Sequence, residues 1–291
     1  MGSFLRALLF VIFCGLWACT PEQRARLTVT PSAYGKVDNI MVIADPYNWE
    51  TTIGDTLRTA FEALYPVTPQ PEPLYDLRYK SPKEFKAGKV YRTFRSILIL
   101  GVLDDPNDEA TQLIKKALGD AKIQKAYENS NYTIVVQRDR WAKGQTLVYW
   151  FAPPRTALLE TVAKNYSQVM KQFNKADTRR LIESAYATGQ NAEATNFLAD
   201  QFDISLKIPS EFVTAEADSL HVWLRYETAK TSSSIFVYSL PLSDTTLPTP
   251  THHKQIRDQL TRQYFSTRIK DSYMRIDDRY LPIYYNNITF N

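Results

Sequence analysis

The sequence has two cysteines, three histidines and nine glycines in 291 residues, and each scarcity removes a class of chemistry. Cys14 and Cys19 both fall within the first nineteen residues. The remainder therefore has no thiol for a disulfide, a thiolate metal site or a cysteine nucleophile. His252 and His253 are adjacent, and on a helix they point ~100° apart, so they are not the i, i+4 pair of a zinc-binding helix. Neither common spacing of a phosphate-cradling glycine loop occurs. No glycine-flanked nucleophilic serine is present, and a Ser/His/Asp triad assembled from distant positions has no specific support. Runs of like charge are missing too. The 35 basic and 31 acidic residues are interspersed and leave a net charge of +4. That is a solvated surface, not the basic stripe of a nucleic-acid binder, and no nucleic-acid partner is expected. No metal, catalytic group or cofactor site is assigned.

Long apolar runs are also absent. The run from Ala7 to Trp17 has eleven residues, about half of the ~20 that span a bilayer. Arg6 precedes it and Leu16-Trp17-Ala18-Cys19 closes it, which is the form of a bacterial lipoprotein signal. Trp17 departs from that form, since its slot usually holds a small or β-branched residue. Secretion with cleavage nearby and an uncleaved anchor are the competing readings. Cys14 follows the bulky Phe13, so Cys19 is the expected lipidation site. Two or three acyl chains, at ~0.8 kcal/mol per buried methylene, make such an anchor effectively permanent. The expected location is the cell envelope, lipid-anchored at the outer membrane. Residues 1–19 are then the signal and residues 20–38, broken by Pro21, Pro31 and Gly35, a linker.

The chain beyond residue 38 has enough length for a core without covalent staples. Ile40 to Ala44 reads as a buried strand and Glu50 to Leu64 as a helix with Ile53, Leu57, Ala60, Phe61 and Leu64 on one face. Strands are expected at Leu74 to Tyr79, at Ile97 to Leu103, at Tyr132 to Val136 and at Thr146 to Phe151. A helix carrying Leu113, Ile114, Ala117, Leu118 and Ala121 lies among them. The order strand, helix, strand, strand, helix, strand is that of a ferredoxin-like split βαβ sheet. Pro153 and Pro154 open a helix, which carries Leu159, Val162, Val169 and Phe173, with a restart after Asp177, and a shorter helix spans Ala192 to Asp200. These helices form a brace. Strands at Phe202 to Ile208, Leu220 to Tyr226, Ile235 to Leu240, Tyr273 to Ile276 and Ile283 to Phe290, with a helix capped by Thr251, make a smaller antiparallel sheet with one packed helix. The fold class is α+β, in two domains at 39–200 and 201–291.

The segments Asp45-Pro46-Tyr47-Asn48-Trp49, Gly54-Asp55-Thr56-Leu57-Arg58, Pro71-Glu72-Pro73-Leu74-Tyr75-Asp76 and Arg95-Ser96-Ile97-Leu98-Ile99 resemble blocks of a family of uncharacterised Bacteroidetes lipoproteins. Asp139-Arg140-Trp141-Ala142-Lys143-Gly144-Gln145 and Trp223-Leu224-Arg225 are similar to later blocks. The family is catalogued as a domain of unknown function, so the resemblance implies an envelope lipoprotein and transfers no catalytic residue. It also implies a longer C-terminal part, rich in Gly, Trp and Met, than a chain ending at Phe290-Asn291.

Three constellations merit a functional reading. Asp45 and the cluster Asp104, Asp105, Asp108 and Glu109 each follow a buried strand, and parallel neighbouring strands would bring them to one sheet edge to hold Mg²⁺ or Ca²⁺. Helix capping and turn formation explain the same carboxylates. Trp49, Trp141, Trp150 and Trp223 would stack on sugar rings if two shared a groove, or cover sheets if buried. His221 lies on the strand face opposite Leu220 and Val222, beside Trp223 and Arg225, where a partner-facing surface competes with an ordinary one. Asp45, Asp104, Asp105, Trp49, Trp141, His221 and Trp223 are accordingly the candidate surface site. The expected function is a non-enzymatic binding or assembly module with an envelope protein or glycan partner. A glycan-binding or glycan-processing protein is the alternative.

Overall fold

The computed structural model describes residues 30–65, 70–241 and 249–279. The lipobox with Cys19 and the strand expected at Ile283 to Phe290 lie outside them. In chain order the elements are β1 (Asn39–Ile43), α1 (Pro46–Glu50), α2 (Thr52–Phe61), β2 (Asp76–Lys80), α3 (Pro82–Ala87), β3 (Ser96–Val102), α4 (Glu109–Leu118) and α5 (Asp120–Glu128). Then come β4 (Ile134–Arg138), β5 (Thr146–Ala152), α6 (Arg155–Ala185), α7 (Ala192–Phe202), β6 (Val213–Ala217), β7 (His221–Glu227), β8 (Ser232–Tyr238) and α8 (Pro250–Tyr264). The fold is mixed α and β: a mostly parallel five-stranded sheet with helices, and a separate three-stranded antiparallel sheet with a packed helix. Two units divide it, one within Met1–Leu64 and Pro73–Asp177, the other within Tyr65–Glu72 and Thr178–Asn291. Among the described residues no helix is long and apolar enough to cross a membrane.

In the first unit the sheet order is β2-β1-β3-β5-β4. β1 pairs parallel with β2 and β3, β3 pairs parallel with β5, and only β4 runs antiparallel, beside β5. This corrects the ferredoxin-like arrangement, and burial gives the reason. Every residue of β1, β3 and β5 is buried, so both faces of these strands need a helical cover. A ferredoxin-like sheet covers one. Ile40, Val42, Leu98, Leu100, Val148 and Trp150 meet Ile53, Leu57 and Phe61 of α2 and Leu158, Val162, Val169 and Phe173 of α6. Met41, Ile43, Ile97, Ile99, Leu147 and Tyr149 meet Phe85 of α3, Ile114 and Leu118 of α4, and Ile123 of α5. Parallel strands linked by helical crossovers are the arrangement that covers both faces.

The second unit holds the antiparallel sheet β6-β7-β8. Val222 and Leu224 point to one face and meet Ala194 and Leu198 of α7 and Ile208. His221 and Trp223 point to the other, under Tyr264 of α8 and the adjoining Phe265. Two expected strands are not formed. Phe202 ends α7, Asp203 takes a left-handed conformation at φ 55°, and residues 203–208 run without strand pairing while Ile208 enters the core. Around Tyr273 there is a single bridge to Ser266. The N-cap of α8 is Thr249 rather than Thr251, its side chain accepting from the His252 N–H.

Close backbone packing at the α1–α2 turn makes one glycine obligatory. A Cβ on Gly54 would sit 1.9 Å from the Trp49 carbonyl oxygen and 2.7 Å from its carbon. Backbone cannot swing aside as a side-chain tip can. Gly54→Ala is expected to destabilise the protein by about 3 kcal/mol, the upper end of overpacking costs. Urea unfolding measures it, and a loss within about 0.5 kcal/mol would show that the turn relaxes freely.

Candidate functional site

β1 and β3 lie side by side and parallel, with Met41 opposite Ile97 and Ile43 opposite Ile99, so the carboxylates after them do gather at one edge. Each has a structural occupation there. Asp45 caps α1 by accepting from the Tyr47 N–H at 3.0 Å. Asp104 accepts from the Tyr127 hydroxyl at 2.9 Å, and Asp105 holds the Arg155 guanidinium at 2.7 Å. Asp108 is 1 % exposed. It accepts from the N–H groups of Val102, Ala110 and Thr111 and from the Asn48 amide. Asn48 in turn accepts from Arg155 Nε at 3.0 Å, and Arg155 lies 4.2 Å over the Tyr47 ring. Burial raises the Asp108 pKa against the lowering effect of its backbone hydrogen bonds, and the Asp45 charge adds to the rise. Among the described residues no group of three His, Cys, Asp or Glu is arranged to hold a metal ion. The carboxylates instead lock the loops together.

The three tryptophans of the first unit do not share a groove. Trp150 is fully buried and donates to the Thr161 hydroxyl at 3.2 Å. Trp49 is half-buried on the α2–α6 side of the sheet, stacked 4.9 Å from Tyr79 with the Arg58 guanidinium 4.5 Å above it. Trp141 is half-buried on the opposite side, edge-on to Phe85 at 5.8 Å. Trp223 belongs to the second unit and donates to the Ser234 hydroxyl at 3.1 Å. His221 is 2 % exposed, which corrects its place in a surface site: the Tyr264 ring covers it at 4.5 Å. Its Nδ1 lies 3.0 Å from Asp218 and its Nε2 3.4 Å from Glu216.

Trp141 does open onto a cavity. Between α3, α4 and the β4–β5 connection is about 560 Å³ of accessible space, floored by Ile99, Tyr149, Phe85, Leu113 and Trp141. That volume is in the range of small-molecule sites. The connection that walls it is held from within. Asp139 adopts φ 51° and accepts from the Gly144 and Gln145 N–H groups. Gln145 is 1 % exposed, and its Nε2 donates to the carbonyls of Arg92 at 2.6 Å and Phe94 at 2.7 Å. Its Oε1 accepts from the Trp141 N–H at 3.1 Å. Arg140 and Trp141 are thus presented from a fixed loop. Burial pushes the Tyr149 phenol in the floor up to about 12, while the Arg140 charge acts the other way.

The family described as Domain of unknown function (DUF8532) matches residues 33–186, just over half of the chain. The chain belongs to this family. Its match takes in the whole five-stranded sheet, α6 and the cavity, and residues 191–291 match a second one, Domain of unknown function (DUF4837). No curated protein and no solved structure matches the chain. Within the DUF8532 part, sequence reasoning reached Trp141 and the carboxylates. It missed Arg140, Arg92, Lys86, Lys115 and Lys116, because they come from separated segments. The block Asp139 to Gln145 was the one local signal, a turn whose glycine and buried glutamine are spent on holding an arginine and a tryptophan in place.

Three outcomes are expected. Asp108→Asn places an amide group among four donors and should cost at least ~2 kcal/mol in urea unfolding. Gln145→Ala leaves two buried carbonyls and one N–H unpaired and should cost about as much. In the second unit, the Leu220 and His221 N–H groups hold the Asp218 carboxyl below its ordinary pKa. A lowered folded-state pKa gives stability that is present above the unfolded value and lost as pH falls through the folded one. The melting temperature of Asp218→Asn should therefore fall less steeply than wild type between about pH 5 and pH 2; parallel acid limbs would refute that role.

Proposed function

We propose that the protein is a binding module of the bacterial cell envelope, tethered to the outer membrane through lipid on Cys19, of the Bacteroidetes lipoprotein type. The tether rests on Leu16-Trp17-Ala18-Cys19 and the short apolar run before it. The binding role rests on one contrast inside the first unit. The strand ends that usually carry ligands in parallel sheets are filled by hydrogen bonds among Asn48, Asp105, Asp108 and Arg155, with Asp45 spent on capping α1. The walled cavity beside Trp141 has an apolar floor, and its lining includes no carboxylate. The lining also has no histidine or thiol, and burial raises the pKa of its phenol, Tyr149, away from neutrality, which favours capture over proton transfer near neutral pH. An envelope protein or a small envelope molecule is the partner class; within the first unit, Trp49 and Trp141 lie on opposite sides of the sheet and Trp150 is buried, which gives no platform for a sugar ring between two indoles.

Two measurements check this. Mass spectrometry of the mature N-terminus should find an acylated Cys19, and an unmodified Cys19 or a start elsewhere would remove the tether. A photoreactive residue at position 112, on the cavity rim, should yield a discrete adduct in living cells, whereas one at Lys164 should not. No adduct at 112, or turnover of a substrate that disappears in Asp45→Ala or Asp104→Ala, would overturn the binding role.

A further inference from the structure

The cavity beside Trp141 is chemically one-sided. Lys86, Arg92, Lys115, Lys116 and Arg140 line it together with the apolar floor, and no Asp or Glu does. These cations come from α3, the turn after it, α4 and the β4–β5 connection, so the fold, not a basic run, concentrates them. Two have partners: Lys86 shares Glu109 with Lys83, both at 3.4 Å, and Lys115 donates to the Leu103 carbonyl at 3.4 Å. Arg92, Lys116 and Arg140 have no ion pair among the described residues. A chain with nearly balanced charge thus gathers unpaired positive charge at the mouth of an apolar recess.

The second unit offers a contrast. Its cavity of about 870 Å³ is also lined by aromatics and cations. There, however, Arg225 is paired with Glu227, and Lys254 with Asp278 at 2.6 Å, which leaves Arg257 as the one lysine or arginine of that lining with no ion pair among the described residues. The first cavity gathers three such cations.

Building on the binding role above, we propose that the cavity of the first unit binds an amphiphilic organic anion. Its apolar body would lie against Trp141, Phe85 and Leu113, and its phosphate, sulfonate or carboxylate head would meet Arg92, Lys116 and Arg140. Guanidinium forks match the paired oxygens of such heads, and the lysine adds a point charge. Low-dielectric walls focus the field of the rim into the recess. The Gln145 clamp fixes the Arg140–Trp141 wall before the ligand arrives, which lowers the ordering cost of binding. A free organic phosphate and an anionic lipid share this head-and-body chemistry.

The test uses the full chain carrying Cys19→Ala to prevent acylation, titrated calorimetrically with octyl phosphate, inorganic phosphate, octanol and octyltrimethylammonium. Octyl phosphate should bind at least about tenfold more tightly than the other three, and more weakly as salt rises. Lys116→Glu with Arg140→Glu should weaken it by about tenfold or more with an unchanged melting temperature, and Trp141→Ala should weaken it too. If charge reversal unfolds the chain, Lys116→Gln with Arg140→Gln takes its place. Equal affinity for octyltrimethylammonium, or octyl phosphate binding indifferent to the rim substitutions, would overturn the proposal. Co-sedimentation with phosphatidylglycerol vesicles, compared with phosphatidylcholine vesicles, separates the sources: rim-dependent vesicle binding beside octyl phosphate binding assigns a lipid, and octyl phosphate binding alone a soluble anion. Vesicle binding without octyl phosphate binding would overturn the cavity site. A position-112 adduct that persists while octyl phosphate fails would leave the binding role standing with a different ligand class; loss of both would end both.

Discussion

Asp108 is the carboxylate on which the first unit's strand-end architecture depends. Buried charge is tolerated only where donors surround it, and Asp108 has them from three directions: the end of β3, the first turn of α4 and the side chain of Asn48 in α1. Asn48 passes the connection to Arg155 at the start of α6, and Arg155 passes it to Asp105. One group thereby sets the spacing of two loops and three helices against the sheet. Its cost is legible in its raised pKa. Folding at neutral pH must hold a carboxyl whose ionised form the interior disfavours, so its contribution weakens as pH rises through the raised value. Such an arrangement suits a scaffold whose strand ends must stay put while another face meets a ligand.

The same logic separates the two faces of the five-stranded sheet. On the α2–α6 side, apolar packing is continuous from Ile53 to Phe173. On the other side, Tyr149 and Ile99 are covered at one end by α4 and α5, but between α3 and the β4–β5 connection the helices leave a recess. Its existence follows from the shortness of α3 and from the Gln145 clamp, which ties the connection to the Arg92 and Phe94 carbonyls.

Hydrophobic runs made much of this readable in advance. Ile40 to Ala44, Ile97 to Leu103 and Thr146 to Phe151 announced buried strands, and the helical spacing of Leu57 and Phe61 or of Val162, Val169 and Phe173 announced their covers. Pairing direction was harder, because a list of elements does not say which faces are covered; only the burial of alternate and intervening residues together demands a parallel core. β6 gave no signal, since all five of its residues are exposed and a strand without a buried side has no alternation to read. Phe202 to Ile208 misled because its apolar alternation is not spent on a sheet: Ile208 is buried and Phe202 half-buried in the α7 cluster, while Ile204 and Leu206 are exposed and residues 203–208 pair with no strand. The cationic rim was illegible because Arg92, Lys116 and Arg140 are scattered along the sequence, and balanced overall charge concealed them.

The outer strands carry a last consequence. β2, at one margin of its sheet, reads Asp76-Leu77-Arg78-Tyr79-Lys80, with Arg78 and Asp76 paired. β6, at a margin of the other, is interrupted by a register shift between Thr214 and Glu216. Unsatisfied strand margins invite a second copy to add on, and charges and bulges discourage it. Molecules confined to a plane meet one another side-on far more often than molecules in free solution. At these two margins, charge and a bulge work against a neighbouring copy zippering on.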